Sequence, residues 1–335
     1  MTTIATATEI TSRLSAGDRK LFKGTAAEVH NWMATDEILS AIDCNFKVES
    51  HKPTVNGRSY DEVRLWLRSD NGNHLGTFGN RRQVIQPGDF VTYFREFCAN
   101  SEKAIELDLV GTPDNGKTFY MASKLINSNL QRLMDDNVGG GFRIQQDLDK
   151  EERTDVWLII TDYYGESAAP KAIVLFNELA CYNGMTRRSE SKLVGLSHLR
   201  KQGSRHVAGT IMEALKEVEV YQRIKNRLIT TTVTEEFAVN CINKFYRLPG
   251  EAWDTPNRKA ERILDIHRNR LIGGELATRK GTAWGVLQAV TQSTTYEHIG
   301  TAENSGGRAF RSMLDGPRAS EARRFEQHLL ACLEA

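Results

Sequence analysis

Residues 63–68 (VRLWLR) alternate between two sets of side chains, and this alternation constrains the fold more than any other local feature. Successive side chains of a strand point to opposite faces, so the pattern is typical of a β-strand. Residues 70–73 (DNGN) have the composition of a hairpin turn, and residues 74–78 suit the returning strand. The segment therefore predicts an antiparallel hairpin. Its two faces carry Val63, Leu65 and Leu67 on one side and Arg64, Trp66 and Arg68 on the other.

A helix and a second hairpin follow. Residues 87–89 (PGD) are typical of a helix start, and residues 90–98 carry apolar side chains at helical spacing. Residues 104–110 alternate again, residues 112–117 form a turn, and residues 117–124 return. The order predicts an α+β fold that begins with an antiparallel hairpin-helix-hairpin sheet.

The second half of the chain has a different pattern. Residues 155–182 predict a second sheet element, with an apolar strand at 156–161 and a returning strand at 171–176. Beyond about residue 204 the apolar side chains recur at helical spacing, which predicts a mostly helical C-terminal half. Trp157 and Trp284 lie in apolar segments, so we expect both in the core rather than on a base-stacking surface.

The length of 335 residues corresponds to two domains or one large one. We divide the chain into an N-terminal helical segment (1–40), an α+β sheet region (41–126), a flexible linker or loop (127–154), and a second sheet element with a helical C-terminal region (155–335). Residues 26–42 support the first assignment because their apolar side chains approximate helical spacing. The linker contains Gly139–Gly141 without a following Lys-Ser/Thr, which favours a flexible connection over a phosphate-binding loop.

Several classes of protein are excluded by what the sequence lacks. No run approaches about 18 apolar residues, so we predict no membrane span, and the first residues do not resemble a secretory signal. The five cysteines are scattered without a CxxC pair, which favours a reducing compartment and a cytoplasmic location. Common nucleotide, metalloprotease and hydrolase motifs are absent. We therefore predict no catalytic residue, no metal ligand and no cofactor.

Basic side chains supply the candidate site. The totals of 44 Lys plus Arg and 43 Asp plus Glu nearly cancel, but a local basic groove depends on distribution rather than on the sum. Residues 187–205 contain one acidic residue, Glu190, and two glycines, so they predict a basic loop that contacts phosphates. Stacking on aromatic rings would add affinity for single strands. The phosphate-contacting candidates are Arg187, Arg188, Lys192, Arg200, Lys201 and Arg205, with Arg81 and Arg82 as secondary candidates, and the stacking candidates are Tyr182 and Phe78.

A second basic cluster, at residues 258–280, has a different interpretation. Glu261 and Asp265 interleave with its arginines at helical spacing. That arrangement is typical of a solvated helix face with ordinary surface charge.

Several segments, taken in order, resemble the phage/plasmid-like protein family, a domain-of-unknown-function family of phages, prophages and plasmids. They are residues 75–79 (LGTFG), 84–86 (VIQ), the turn near Gly116, 179–185 (LACYNGM), 205–206 (RH) and 281–291 (GTAWGVLQAVT). The resemblance implies a mobile-element protein acting inside a host bacterial cell, with no established catalytic residues to transfer. The predicted α+β fold is also similar to that of single-strand annealing proteins, which is an analogy of fold alone.

Three hypotheses follow. The favoured one is a non-catalytic phage-encoded nucleic-acid-binding protein that binds or anneals single-stranded DNA in replication or recombination. Its expected partners are single-stranded nucleic acid and further copies of the chain, and no membrane. The alternative is an interaction protein that inhibits a host defence or regulatory factor. The third is an enzyme using Cys181, Asn183 and His206, although a buried, inert cysteine is the commoner case.

Overall fold

The computed structural model describes residue 22, residues 26–100, 105–125, 154–164, 171–178, 183–188, 204–247, 257–296, residue 314 and residues 316–335. The predicted linker at 127–154 lies outside these residues except for its last one. No helix within the described ranges is long and apolar enough to cross a membrane.

The described elements are mostly strands up to residue 188 and helices from residue 204 onward, which confirms the predicted α+β class. The strands are β1 (Ala26–Glu28), β2 (Val48–His51), β3 (Thr54–Val55), β4 (Arg58–Ser59), β5 (Val63–Arg68), β6 (His74–Gly79), β7 (Leu109–Gly111), β8 (Thr118–Lys124), β9 (Thr154–Tyr163), β10 (Lys171–Glu178) and β11 (Asn183–Arg188). The helices are α1 (Thr35–Ser40), α2 (Pro87–Asn100), α3 (Ser204–Thr230), α4 (Glu235–Tyr246), α5 (Arg258–Asp265), α6 (Ala283–Tyr296) and α7 (Pro317–Glu334), and a π-helical turn, Ile266–Arg270, follows α5.

The strands form an antiparallel six-stranded sheet in the order β1-β7-β8-β9-β10-β11, together with a three-stranded sheet β2-β5-β6 and the small hairpin β3-β4. The two predicted hairpins, β5-β6 and β7-β8, therefore lie in different sheets. The second hairpin joins the large sheet because β8 pairs with β9 over seven residues, from Thr118↔Tyr163 to Lys124↔Trp157. The pairing of β8 with β9 joins residues 118–124 to residues 157–163, which the sequence pattern placed in separate regions.

The N-terminal segment differs from the predicted helix. Ala26–Glu28 is a strand at the edge of the large sheet, paired with Leu109–Gly111, and among the described residues of this segment only Thr35–Ser40 is helical. The amide of Val29 continues the pairing by donating to the carbonyl of Asp108 at 3.0 Å. Pairing with a distant strand therefore overrides the local helical spacing.

The central strands β8, β9 and β10 of the large sheet are buried on both faces. On β9, Val156, Leu158 and Ile160 pack into the main core with α2 and α3, whereas Trp157 and Ile159 pack into a second cluster on the opposite face. Trp157 and Trp284 are both almost fully buried, as predicted. The second face also holds a buried ion pair, Lys124 Nζ to Asp155 Oδ2 at 2.6 Å.

The small sheet β2-β5-β6 is anchored to the end of β9. A Cβ at Gly76 would overlap the carbonyl oxygen of Tyr164, so only glycine permits this approach. The hydroxyl of Tyr164 donates to the carbonyl of Ile85 at 2.9 Å. Arg82 lies across the same junction, with its Nη2 3.9 Å from Asp162 Oδ1 on β9. The small sheet and the hairpin beside it thus have a fixed position relative to the large sheet.

Candidate nucleic-acid interface

The predicted basic loop is described only at its two ends. Arg187 and Arg188 close the outer strand β11, where they pair with Val174 and Ile173 of β10. Arg205 is the second residue of α3. The remaining candidates of this loop, Tyr182, Lys192, Arg200 and Lys201, lie outside the described residues. Their predicted roles stay predictions.

Phe78 and Arg82 belong to the junction between the sheets. The Phe78 ring is 6% exposed and lies 4.2 Å, centroid to centroid, from the ring of Trp66. The guanidinium carbon of Arg82 lies 4.2 Å from the centre of the Phe78 ring, on which it stacks. Burial lowers the pKa of Arg82, and the nearby carboxylate of Asp162 opposes that shift. Phe78 offers no open ring face to a base in this structure, so it is not part of the interface described below.

Arg81, by contrast, is exposed. It lies in the turn that follows β6, and this turn is held beside the loop before β5. The amide of Asn80 donates to the carbonyl of Glu62 at 3.0 Å, and its side-chain amide donates to the carbonyl of Asp61 at 3.3 Å. Arg81 is therefore adjacent to the loop that ends the β3-β4 hairpin.

The β3-β4 hairpin projects two apolar side chains into solvent. Asn56 and Gly57 connect its strands with φ of 50° and 75°. Positive φ at both positions is the signature of a two-residue turn that favours Asn-Gly. The amide of Tyr60 donates to the carbonyl of Pro53 at 3.0 Å and closes the hairpin. Val55 and Tyr60 remain 54% and 49% exposed.

Hydrogen bonds from two cations order the loop after the hairpin. Nη1 of Arg64 donates to the carbonyls of Asp61 at 2.8 Å and Val63 at 2.9 Å. Nζ of Lys52 donates to Oδ1 of Asp61 at 2.7 Å, and this hydrogen bond lowers the pKa of the Asp61 carboxyl below its usual range. The exposed phenol of Tyr60 is thus carried by a loop of defined conformation.

These neighbouring groups form one surface, which we call the hairpin surface. It comprises Lys52, Arg58, Tyr60, Arg64 and Arg81, with Asp61 and Glu62 as its acidic residues. Arg58 and Arg81 form no ion pair with any residue that the structure describes. An aromatic face combined with cations is what a single strand requires, because bases stack and phosphates attract positive charge.

Sequence reasoning identified Arg81 and missed the other members of the hairpin surface. The available signal was the Asn56-Gly57 dipeptide between two short β-prone segments, which alone predicts a tight hairpin. The proximity of Arg81 to this hairpin follows from the pairing of Val63 with Gly79, which brings the start of β5 next to the end of β6.

The cluster at residues 258–280, here the C-terminal basic cluster, differs in its charge pairing. Nζ of Lys259 lies 2.6 Å from a carboxylate oxygen of Glu321, and Nε of Arg268 lies 2.6 Å from one of Glu235. Arg270 contacts Asp265 at 2.7 Å. Arg279 is buried and donates to the carbonyl of Ile272. The pairing of Lys259, Arg268 and Arg270 agrees with the interpretation of the cluster as an ordinary helix surface, whereas the buried Arg279 does not belong to a solvated face.

Three groups with metal-ligand chemistry also meet in the C-terminal half. The Sγ atoms of Cys241 and Cys332 and a ring nitrogen of His328 all lie within 4.8 Å of one another. Cys241 belongs to α4, and the other two belong to α7. Sequence reasoning missed this group because 87 residues separate Cys241 from His328. The local signal was the spacing of four between His328 and Cys332, which places both on one helix face.

The comparisons with known proteins identify one family. A family model described as a domain of unknown function, DUF932, matches residues 74–324. The matched region extends from β6 into α7 and includes Arg81, whereas the β3-β4 hairpin precedes it. Neither the curated proteins nor the solved structures contain a match to this chain.

Proposed function

We propose that this chain, which belongs to the DUF932 family, binds single-stranded nucleic acid. The family is a domain of unknown function found in phage and plasmid proteins. The observation that carries the proposal is the half-exposed ring of Tyr60 on the same surface as Arg58 and Arg81, two exposed cations that form no ion pair with any described residue. A stacked base contributes roughly 1–3 kcal/mol, and the cations contribute affinity independent of sequence.

The basic segment at the outer edge of the large sheet would extend this interface. Arg187 and Arg188 end β11, and Arg205 begins the helix that follows. We propose that these residues, with Lys192, Arg200, Lys201 and Tyr182, contact the same strand. A phage or plasmid protein with this property would act in the host cytoplasm, in replication or in the annealing of complementary strands, and would self-associate along DNA.

A salt titration tests the proposal directly. If the four cations of the hairpin surface each neutralise one phosphate of a single strand, log K falls with log salt with a slope of about −2.8, since each phosphate contributes about −0.7. Purified full-length chain would be titrated against a fluorescent oligonucleotide of about 40 nucleotides and its duplex, at about 50 and 200 mM salt. We expect salt-sensitive preference for the single strand. Absence of binding to the single strand at the lower salt would overturn the proposal.

A matched pair of variants separates the hairpin surface from general positive charge. Arg81→Ala and Lys280→Ala each remove one exposed cation that has no ion pair among the described residues. We expect Arg81→Ala to weaken single-strand binding severalfold and to reduce the magnitude of the salt slope by about 0.7. Lys280→Ala should leave both unchanged. Equal effects of the two variants would argue against the hairpin surface as the site.

A second candidate function, binding of a host protein, is favoured by Trp32. Its indole is 68% exposed and stacks on the ring of His30, with 5.5 Å between centroids. Exposed aromatic side chains are enriched at protein interfaces. The test is capture of host proteins from nuclease-treated lysate by the native chain and by Trp32→Ala. A specific partner lost in Trp32→Ala, without any change in DNA binding, would favour this function.

A further inference from the structure

We propose that Cys241, His328 and Cys332 form a Zn²⁺ site that joins α4 to α7. The three ligand atoms come from two helices that pack together, and all lie within 4.8 Å of one another. Sγ of Cys332 lies 3.4 Å from Nε2 of His328. The site would be independent of nucleic-acid binding, because it lies on other elements of the fold.

The separation of these atoms fits the coordination geometry of zinc. With Zn–S near 2.3 Å and Zn–N near 2.0–2.1 Å, two tetrahedral ligands of these types lie about 3.5 Å apart. The observed 3.4 Å between Cys332 and His328 is close to this value. Cys332 and His328 therefore already have the spacing of two zinc ligands, without any movement of α7.

The chemistry of the ligands selects the metal. Two thiolates and an imidazole suit Zn²⁺ and are poor ligands for Mg²⁺ or Ca²⁺, which prefer oxygen. Three protein ligands leave one coordination position for water or another donor. His328 and Cys332 are partly exposed, so solvent reaches the site, whereas Cys241 is buried on the side of the core.

Aromatic side chains hold the histidine in place. The His328 ring lies 5.4 Å from the ring of Phe245 and 6.1 Å from that of Phe325, centroid to centroid. Those two phenylalanines pack edge to face at 5.1 Å across the α4–α7 contact. A ligand fixed by packing loses little freedom when it binds a metal, which favours affinity.

Loading of the site would release protons. Nε2 of His328 lies 3.1 Å from the backbone carbonyl of Cys241, so the imidazole would exchange that contact for the metal. Zinc would displace one proton from each thiol to solvent, and the imidazole would carry its proton on Nδ1. Affinity should consequently decrease as the pH falls.

The site lies partly outside the family match. The DUF932 model ends at residue 324, so it includes Cys241 and excludes His328 and Cys332. Zinc binding would then be a property of this chain that the family match does not imply.

Metal titration of the full-length chain tests the proposal. The protein would be reduced with a phosphine, stripped with a chelator, and titrated with zinc in competition with a chromophoric chelator, and then with Co²⁺. We expect one Zn²⁺ per chain, and with Co²⁺ the charge-transfer and d–d absorption of a tetrahedral thiolate site. Cys332→Ser and His328→Gln should each weaken zinc binding by about 100-fold or more, beyond the 10–100-fold typical of losing an outer-shell partner. Cys98→Ala, which removes a thiol on α2, should bind zinc like the native chain.

Two results would overturn the proposal. One is zinc uptake by the native chain that does not exceed that of a folded Cys332→Ser or His328→Gln variant, with folding checked by circular dichroism. The other is a Cys241–Cys332 disulfide in unreduced protein, combined with no zinc uptake after reduction. If Cys332→Ser does not fold, the His328→Gln variant and the Co²⁺ spectrum of the native chain decide between the outcomes.

Discussion

The hairpin surface and the C-terminal basic cluster contain similar sets of cations in different surroundings. In the hairpin surface, Arg58 and Arg81 have no ion pair among the described residues, and the same surface carries the exposed ring of Tyr60. In the C-terminal basic cluster, Arg268 and Lys259 contact carboxylates at 2.6 Å, although Lys280 has no ion pair among the described residues. The density of Lys and Arg in a sequence therefore does not by itself locate a phosphate-binding surface, because the acidic partners come from distant segments.

The aromatic side chains of the two regions differ in the same way. Tyr60 is exposed, whereas Tyr246 beside the C-terminal basic cluster donates its hydroxyl to Glu321 at 2.7 Å and lies under Lys259 Nζ at 5.2 Å. Burial and the contact with Glu321 raise the pKa of Tyr246. Only the first of these two rings is presented to an incoming base.

Reversal of charge on the hairpin surface should have the largest effect. We expect Arg58→Glu combined with Arg81→Glu to weaken single-strand binding roughly 100-fold at about 50 mM salt and to reduce the magnitude of the salt slope by about 1.4, measured by fluorescence anisotropy. The control is Arg258→Glu combined with Lys280→Glu, two exposed cations of the C-terminal basic cluster. Equal losses in both double variants would remove the distinction between the regions.

Loss of the aromatic ring should have the next largest effect. We expect Tyr60→Ala to cost roughly 1–3 kcal/mol of single-strand affinity, with Tyr60→Phe close to the native chain because stacking needs the ring rather than the hydroxyl. The effect should be smaller on duplex, whose bases are already stacked. Trp32→Ala, which removes an exposed aromatic ring elsewhere on the chain, serves as the control, and a loss as large as that of Tyr60→Ala would contradict the assignment.

We expect the C-terminal basic cluster, unlike the hairpin surface, to contribute to the free energy of unfolding in a pH-dependent way. Burial lowers the pKa of His267 below its usual 6.5, while Glu235 opposes and Arg268 assists that shift. As the pH falls, the unfolded chain therefore binds a proton at His267 before the folded chain does. The contribution of neutral His267 to the free energy of unfolding is present above pH 6.5 and is lost below it.

Urea unfolding between about pH 5 and 7.5 measures that contribution. We expect the denaturation midpoint to fall on acidification in the native chain and to fall less in His267→Gln. His51→Gln, which removes an exposed histidine of the small sheet, should behave like the native chain. An unchanged pH profile in His267→Gln would contradict this prediction.

Release of a single paired cation should have the smallest effect. Glu235→Gln removes the partner of Arg268, and both side chains are about half exposed. We expect a change of at most about 1 kcal/mol in unfolding free energy, as is typical of exposed ion pairs. Single-strand affinity should rise less than twofold by anisotropy, since the freed cation has no exposed ring beside it. A large gain in affinity would show that charge pairing alone separates the two regions.

The alternation of residues 63–68 shows how far the sequence predicts the fold. It predicted strand β5 correctly, but it did not indicate which face is buried. The structure buries Trp66 and Arg68, although Arg68 is charged. Nη2 of Arg68 contacts Asp70 at 2.7 Å and Asp43 at 3.1 Å, and the guanidinium stacks on Phe46. Two of these partners, Asp43 and Phe46, lie more than twenty residues earlier in the chain. The local pattern of residues 63–68 therefore does not predict these contacts.

The sequence likewise predicted one part of the candidate site and not the rest. Arg81 was identified from the sequence, and the Asn56-Gly57 turn carries a local signal that predicts its hairpin. The neighbouring Phe78 was predicted to stack on bases, but its place on the inner side of β6 depends on packing against Trp66 and Arg82. Local motifs therefore predict turns and strands, whereas the exposure of an aromatic ring depends on the packing of the whole domain.

The buried Lys124–Asp155 ion pair has a consequence for the alignment of the strands during folding. Lys124 lies opposite Trp157, so its partner Asp155 is two residues away along β9. A slip of two residues keeps every side chain on its original face, and hydrophobic patterning alone rejects it least. A slip in the direction that places Lys124 opposite Ile159 would bury the two charges apart, at a cost of about 3–5 kcal/mol. The ion pair therefore disfavours that alignment of β8 and β9, which apolar burial alone would accept.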